Sequence, residues 1–136
     1  MRGCLNADAQ TRFASCYQYG NVIAVDKVET FKWFKRATNV GSAAGQFSLG
    51  TAYCNGIGVA VDKVKTFKWF TRAANVGNAD ALSMLGFCYE HGTGIAVDKH
   101  EAFMLYTLSA NAGNALGQYN LGSAYYNSRG VDVNKV

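Results

Sequence analysis

The sequence contains no proline among its 136 residues, and only 16% of them are charged. Because proline interrupts helices, its absence favours a chain that is mostly helical. Residues 1–12 lack the apolar stretch of a signal peptide, and no apolar run approaches the ~20 residues that span a bilayer. No Asn-x-Ser/Thr sequon occurs. We therefore expect no membrane segment and an intracellular, cytoplasmic location.

The low charge comes with an apolar content of 49%, which excludes global disorder. The sequence also repeats itself every 36 residues: segments 24–41 and 60–77 differ at three of eighteen positions, and 96–113 is a more divergent copy. A period between 20 and 50 residues is typical of a solenoid. We expect one domain over residues 1–136, an all-α solenoid of about three and a half repeats: 7–42, 43–78, 79–114 and a partial 115–136.

The second helix of each repeat begins at an aspartate that can cap free backbone N–H groups (Asp26, Asp62 and Asp98). Glu29 and Glu101 complete a capping-box pattern, which Lys65 breaks in the middle copy. The helices end at glycines that allow a left-handed turn (Gly41, Gly77 and Gly113). Their wide apolar arc, which includes Trp33 and Trp69, predicts packing against two neighbours.

The first helix of each repeat is predicted at 7–19, 43–55, 79–91 and 115–127. Gly50 and its repeat equivalents lack a Cβ where another backbone is expected to approach. Asn134 occupies the position of the capping aspartates, so the sequence stops where a fourth second helix would begin. Leu121 and Tyr125 then lack an expected partner. We therefore expect this chain to be a fragment of a longer protein.

Two strings of residues resemble a known repeat family. The first is Ala115…Gln118-Tyr119-Asn120-Leu121-Gly122…Tyr125, and the second is Gly56-x-Gly58-Val59…Asp62…Phe67-x-Trp69-Phe70…Ala73-Ala74…Gly77. Both resemble the SEL-one-like repeat (SLR), a relative of the tetratricopeptide repeat. The resemblance implies a right-handed superhelix of antiparallel helix pairs, with the first helices lining the concave side. It also implies an adaptor or scaffold, usually without catalysis.

The residues of the first helices that point away from their packed faces are the candidate binding site. Most are polar or small, but Met84 and Phe87 are apolar anchors in a polar frame, as in a peptide hot spot. We expect this groove to bind a peptide or helix of a partner protein. Its residues are Thr51, Asn55, Asp80, Met84, Phe87, His91, Tyr119, Asn120 and Ser123. The alternative is that a missing cap or a neighbouring subunit covers Met84 and Phe87.

Cysteine and histidine chemistry is sparse. Cys16 and Cys88 are two repeats apart, beyond the reach of a disulfide, so we expect four reduced thiols. Cys88, Glu90 and His91 are close in sequence, but no second cluster supplies further ligands. We expect no metal and no cofactor.

Eight of the thirteen Lys and Arg residues belong to helices 26–39 and 62–75 (Lys27, Lys32, Lys35, Arg36, Lys63, Lys65, Lys68 and Arg72). They predict a basic convex face, which is either a solvated surface or a site for acidic partners or nucleic acid. Nucleic-acid binding is the less favoured of the two, because the net charge is only +4. A further alternative is a weak hydrolase related to penicillin-binding members of the family, although no nucleophile–base motif is present.

Overall fold

The structure is a computed structural model that describes residues 26–127. Within this range the chain forms six α-helices and no strand: α1 (Lys27–Asn39), α2 (Ala43–Asn55), α3 (Lys63–Asn75), α4 (Ala79–His91), α5 (Lys99–Asn111) and α6 (Ala115–Asn127). The all-α prediction is confirmed, as are the predicted bounds of 43–55, 79–91 and 115–127. The predicted helix 7–19 lies outside the described residues.

The predicted aspartate caps are confirmed. In each one, Oδ1 accepts a hydrogen bond of 3.0 Å from the backbone N–H three residues later: Asp26 from Glu29, Asp62 from Lys65 and Asp98 from Glu101. The reciprocal half of the capping box is not needed, because another acceptor binds the cap residue's own N–H. Asp98 N–H donates to the Tyr89 carbonyl at 2.8 Å, and Asp62 N–H donates to that of Tyr53 at 2.9 Å. Lys65 is therefore tolerated where a capping box would place glutamate.

Helices α4 and α5 form an antiparallel pair, as hydrogen bonds at both of their ends show. The end of α4 meets the start of α5 through the bond from Asp98 N–H to the Tyr89 carbonyl. The start of α4 meets the end of α5, where Ser109 Oγ donates to the Ala79 carbonyl at 2.9 Å. Helices α2 and α3 meet in the same way through Tyr53 and Asp62. The repeats 43–78 and 79–114 are thus each one helical hairpin, and the described hairpins stack into a solenoid.

Successive repeats are joined by the same aromatic pair. A phenylalanine of each second helix packs edge-to-face on a tyrosine of the next first helix: Phe31 with Tyr53, Phe67 with Tyr89 and Phe103 with Tyr125, at 5.6, 5.5 and 5.4 Å between ring centroids. Such pairs add to the stability gained from burial alone. Tyr125 is still 47% exposed although it packs on Phe103 of the preceding helix, so the expectation of a missing fourth second helix stays a prediction.

The core lies between the hairpins and contains Phe70, Met84, Leu85, Cys88 and Leu105. Gly50 and Gly86 allow close packing there, but the group that approaches them is a ring and not a backbone. A Cβ built on Gly50 would lie 2.6 Å from the ring of Phe70, and one on Gly86 would lie 2.6 Å from the ring of Tyr106. The glycines thus seat the aromatic side chain of the paired second helix.

The tryptophans of the second helices are not core residues, contrary to the prediction. Trp33 is 59% exposed, and Trp69 is half-buried. The buried stripe of α3 consists of Thr66, Phe70 and Ala73 instead. The apolar arc is therefore narrower than predicted, and the tryptophans lie outside the helix stack.

Candidate partner-binding surfaces

The predicted groove residues come from α2, α4 and α6, the first helices of three successive repeats. Helix α4 packs directly against α6 as well as against its hairpin partner α5. Phe87 and His91 of α4 stand at the repeat positions of Ser123 and Asn127 on α6. We call Asn55, Phe87, His91, Asn120 and Ser123 the groove face. All five side chains are at least partly exposed.

The aromatic centre of the groove face is the pair Phe87 and His91. Their ring centroids are 4.3 Å apart with an angle of 46° between the rings. Phe87 is half-buried and packs on the core, whereas the His91 side chain is 53% exposed. His91 Nε2 also lies 3.7 Å from the buried Glu90 Oε1. The pair therefore presents an aromatic surface to solvent, with the Phe87 ring anchored on the core.

Two predicted contact residues are buried and cannot touch a partner directly. Met84 is 3% exposed and belongs to the core, and Thr51 is also 3% exposed and donates its hydroxyl to the Phe47 carbonyl at 3.2 Å. The reason is that α4 contacts three helices, α3, α5 and α6. These neighbours cover positions that a helix with one free, groove-lining face would expose. The prediction of Met84 as an exposed anchor is wrong.

Asp80 takes part in a polar network that links α4, α5 and the start of α6. Its Oδ1 accepts a hydrogen bond of 2.6 Å from Asn114 Nδ2. Asn114 Oδ1 accepts from Ser83 Oγ at 2.9 Å and from Gly117 N–H at 2.8 Å, and Ser83 Oγ lies 2.5 Å from Ser109 Oγ. One oxygen of Asp80 is therefore used in a network that orients the helices.

Tyr119 lies on a different surface from the groove face. Its repeat equivalents, Phe47 and Ser83, face the paired second helix: Phe47 packs 5.5 Å from the Phe70 ring, and Ser83 bonds to Ser109. Tyr119 is 71% exposed. It lines an open depression of about 360 Å³ with four other residues of α6, Gln118, Gly122, Ser123 and Tyr126. We call these five residues the end face; Ser123 lies on its border with the groove face.

The repeats identified in the sequence and the stacked hairpins of the structure agree with one known family. The Sel1 repeat profile matches residues 7–42, 43–78, 79–114 and 115–136. This chain belongs to the Sel1 repeat family. Sel1 repeats generally mediate protein interactions and are typically non-catalytic scaffolds.

Two solved structures have the fold of this Sel1 repeat chain. One is c5321, a protective antigen of uropathogenic Escherichia coli with an SLR fold; it is 38% identical over 92% of this chain, with a TM-score of 0.75. The other is a Sel1 repeat protein from Oxalobacter formigenes, 28% identical over 93% of the chain, with a TM-score of 0.76. The chain spans 27% and 52% of the lengths of those two proteins. No curated protein sequence matches it.

The outer face of the Sel1 repeats combines basic and aromatic side chains. The Arg36 guanidinium lies 4.3 Å from the centroid of the Trp33 ring, and that of Arg72 lies 4.8 Å from the Trp69 ring. Lys32 and Lys68 occupy equivalent exposed positions beside these stacks. One predicted member does not belong to this face: Lys63 Nζ points inward and donates to the Cys54 carbonyl at 3.3 Å.

The cysteines of this Sel1 repeat chain differ from the prediction at one position. Cys88 is a free, buried thiol, as expected, and burial raises its pKa to about 12, although the positive charge of Lys63 opposes the shift. Cys54 is disulfide-bonded, so the expectation of four reduced thiols is wrong. Disulfides persist mainly in oxidising compartments. The cytoplasmic location stays a prediction, and this bond argues against it.

The described residues show little further chemistry. Between Asp26 and Asn127 no three His, Cys, Asp or Glu side chains come together as metal ligands. No helix in that range is long and apolar enough to cross a bilayer. The buried serines Ser83 and Ser109 bond to each other and to amide or carbonyl oxygens. The hydrolase alternative stays a prediction, which β-lactam turnover by the purified protein would test.

Sequence reasoning missed the end face, although the sequence contained a signal for it. Gly50, Gly86 and Gly122 occupy one repeat position, and Phe70 and Tyr106, which pack on the first two, occupy another. Comparing these two positions would have singled out Gly122, where no described side chain comes within 4 Å of a Cβ built on the residue.

Proposed function

We propose that this Sel1 repeat chain is a non-catalytic adaptor or scaffold module that binds a peptide or helical segment of a partner protein on its groove face. The observation that carries the proposal is the contact of Phe87 with His91, whose rings lie 4.3 Å apart. Helix α6, which carries the partly exposed polar side chains of Asn120 and Ser123, contacts the helix of this pair.

The physical basis is the combination of a rigid apolar surface with nearby hydrogen-bonding groups. Phe87 packs on the core and is held by His91, so a partner side chain can bury apolar area without first ordering the rings. The Asn120 amide and the Ser123 hydroxyl can bond to a partner backbone. Aromatic anchors of this kind typically lose about 2 kcal/mol or more of binding free energy on truncation.

The test captures partners from a cell lysate on the immobilised chain and compares two double variants. Phe87→Ala with His91→Ala removes the aromatic pair. The matched control is Met104→Ala with Leu108→Ala, which removes exposed apolar side chains of α5. Melting curves ensure that both variants are compared while folded. We expect the first variant to lose the captured partner and the control to retain it; the opposite pattern would contradict the proposal.

A second candidate surface is the outer basic face, favoured by the Trp33–Arg36 and Trp69–Arg72 stacks. Aromatic and guanidinium groups together suit an acidic protein or a single-stranded nucleic acid. Lys32→Glu with Lys68→Glu reverses two charges of this face and leaves the groove face unchanged. Loss of binding in this variant, together with strong weakening by salt, would move the function to the outer face.

A further inference from the structure

The outer face changes its chemistry along the series of second helices. In α1 and α3, two successive turns present basic side chains at equivalent, exposed positions (Lys32 and Lys68, then Arg36 and Arg72). In α5 the same two positions hold Met104 and Leu108, which are 48% and 53% exposed. The outer face therefore combines cations and exposed apolar side chains.

Equivalent positions of the three second helices lie in rows, because each of these helices begins against the preceding one in the same way. Gly58, in the loop before α3, packs so closely on the Lys27 carbonyl that a Cβ would overlap it. Gly94, in the loop before α5, packs in the same way on the Lys63 carbonyl at the start of α3. Met104 and Leu108 thus continue the rows of basic side chains from α1 and α3.

Further apolar side chains border these rows. Trp33, Val28 and Val64 are each more than half exposed, and the two valines lie one turn before the lysines of the outer face. Glu29 is the one acidic side chain within α1 and α3, and its Oε2 lies 3.5 Å from Lys32 Nζ. Exposed apolar residues among charges of mainly one sign are typical of an interaction surface.

We propose that the outer face binds the surface of an anionic lipid bilayer. The lysine and arginine side chains lie at the headgroup phosphates, and Trp33, Met104 and Leu108 insert just below them. Each basic side chain near an anionic leaflet adds to the attraction, and tryptophan rings favour the interface between membrane and water. The side chains enter the interface singly, so no helix has to cross the bilayer. This proposal does not rest on the groove face.

A lipid surface suits the outer face better than a nucleic acid does. A nucleic acid bound along the rows would find phosphate-binding side chains on α1 and α3. At the equivalent positions of α5 it would meet Met104 and Leu108, which offer its phosphates nothing. A bilayer interface uses both kinds of side chain, because its headgroups attract cations and its acyl chains accept apolar groups.

A protein partner also suits this face less well. The anchor residues of protein interfaces are typically buried in pockets, whereas Trp33, Met104 and Leu108 are about half exposed on the outside of the helix stack. Separate apolar side chains that project into solvent can enter a lipid interface without any matching pocket.

The test uses vesicles made of equal parts of phosphatidylglycerol and phosphatidylcholine, with pure phosphatidylcholine vesicles as the neutral comparison. Both tryptophans of the chain, Trp33 and Trp69, lie on the outer face. A blue shift of their fluorescence, and quenching by brominated acyl chains, therefore report contact of this face with lipid. Co-sedimentation measures affinity for the intact chain and for three double variants whose helix content is checked by circular dichroism. The variants are Lys32→Glu with Lys68→Glu, Met104→Ser with Leu108→Ser, and the groove-face control Phe87→Ala with His91→Ala.

We expect saturable binding to the anionic vesicles, with a blue shift, for the intact chain and the control. Neutral vesicles, or the charge-reversed variant, should bind at least roughly tenfold more weakly. Met104→Ser with Leu108→Ser should also weaken binding roughly tenfold, because inserted apolar area is lost.

Absence of binding to anionic vesicles, or binding without a change in tryptophan fluorescence, would overturn the proposal. Full binding by Met104→Ser with Leu108→Ser would refute insertion and reduce the face to a basic patch. Tight binding of a single-stranded oligothymidine, with none to vesicles, would assign the outer face to nucleic acid instead. None of these outcomes affects the groove-face proposal, because capture of its partner involves no vesicles.

Discussion

Alanine at Gly86 and alanine at Gly122 change the same repeat position in two different surroundings. Both residues lie inside 13-residue helices, where replacing glycine by alanine stabilises the folded state by roughly 0.5–1 kcal/mol. At Gly122 the new methyl group meets no neighbour among the described residues. Gly122→Ala should therefore raise the free energy of unfolding by that amount.

At Gly86 the new methyl group has no room. It would lie 2.6 and 2.8 Å from two ring carbons of Tyr106 and 3.3 Å from the Ala102 carbonyl oxygen. Overpacking of a core typically costs about 1–3 kcal/mol. After the helix-propensity gain is subtracted, Gly86→Ala should lower the free energy of unfolding by up to roughly 2.5 kcal/mol.

Because the propensity gain is common to both variants, the difference between them isolates the packing contribution. Urea unfolding followed by circular dichroism at 222 nm measures both free energies. We expect opposite signs and a difference of about 1–3 kcal/mol. Equal changes in the two variants would refute the inference that Gly86 seats Tyr106 while Gly122 is open.

Three further predictions follow from the described contacts. Gly94→Ala should destabilise the protein by about 1–3 kcal/mol more than Gly113→Ala. Both glycines have positive φ, but only a Cβ at Gly94 would overlap the Lys63 carbonyl. Equal melting temperatures of the two variants would contradict this. Met84→Ala should lower the free energy of unfolding by about 2–5 kcal/mol because the side chain is buried. An unchanged urea midpoint would show that the side chain is exposed. Cys88 should resist iodoacetamide in the folded protein, because burial raises its pKa to about 12. After denaturation without reductant, mass spectrometry should find two alkylated cysteines of four; rapid labelling of Cys88 or a count of four would be contrary evidence.

The sequence predicts the helix bounds well because the signals at helix ends are local. Asp62 and Asp98 cap backbone N–H groups three residues away, and an interaction of such short range is visible in any one copy. The 36-residue period then predicts the same helix bounds in the next repeat. The fold thus follows from residues that interact mainly with their own helix or hairpin.

Exposure was harder to predict because it depends on how many helices surround each position. A helical projection places Met84 on the groove, yet α4 is enclosed by α3, α5 and α6 and the residue is buried. The same projection places Trp33 in an apolar arc, yet its ring is 59% exposed and stacks with the Arg36 guanidinium. Helical spacing alone predicts Tyr119 on the groove, whereas its repeat equivalents Phe47 and Ser83 contact the second helix.

The most direct test of the proposed function is site-specific photo-crosslinking to a captured partner. A benzoylphenylalanine replaces one aromatic residue at a time: Phe87 on the groove face, Trp33 on the outer face or Tyr126 on the end face. Each replacement keeps an aromatic ring at its position, so the three proteins differ only in the surface that carries the crosslinker. We predict that position 87 gives the strongest crosslink to a peptide or helical segment of the partner. A strong crosslink from position 33 with none from position 87 would contradict a groove-binding adaptor.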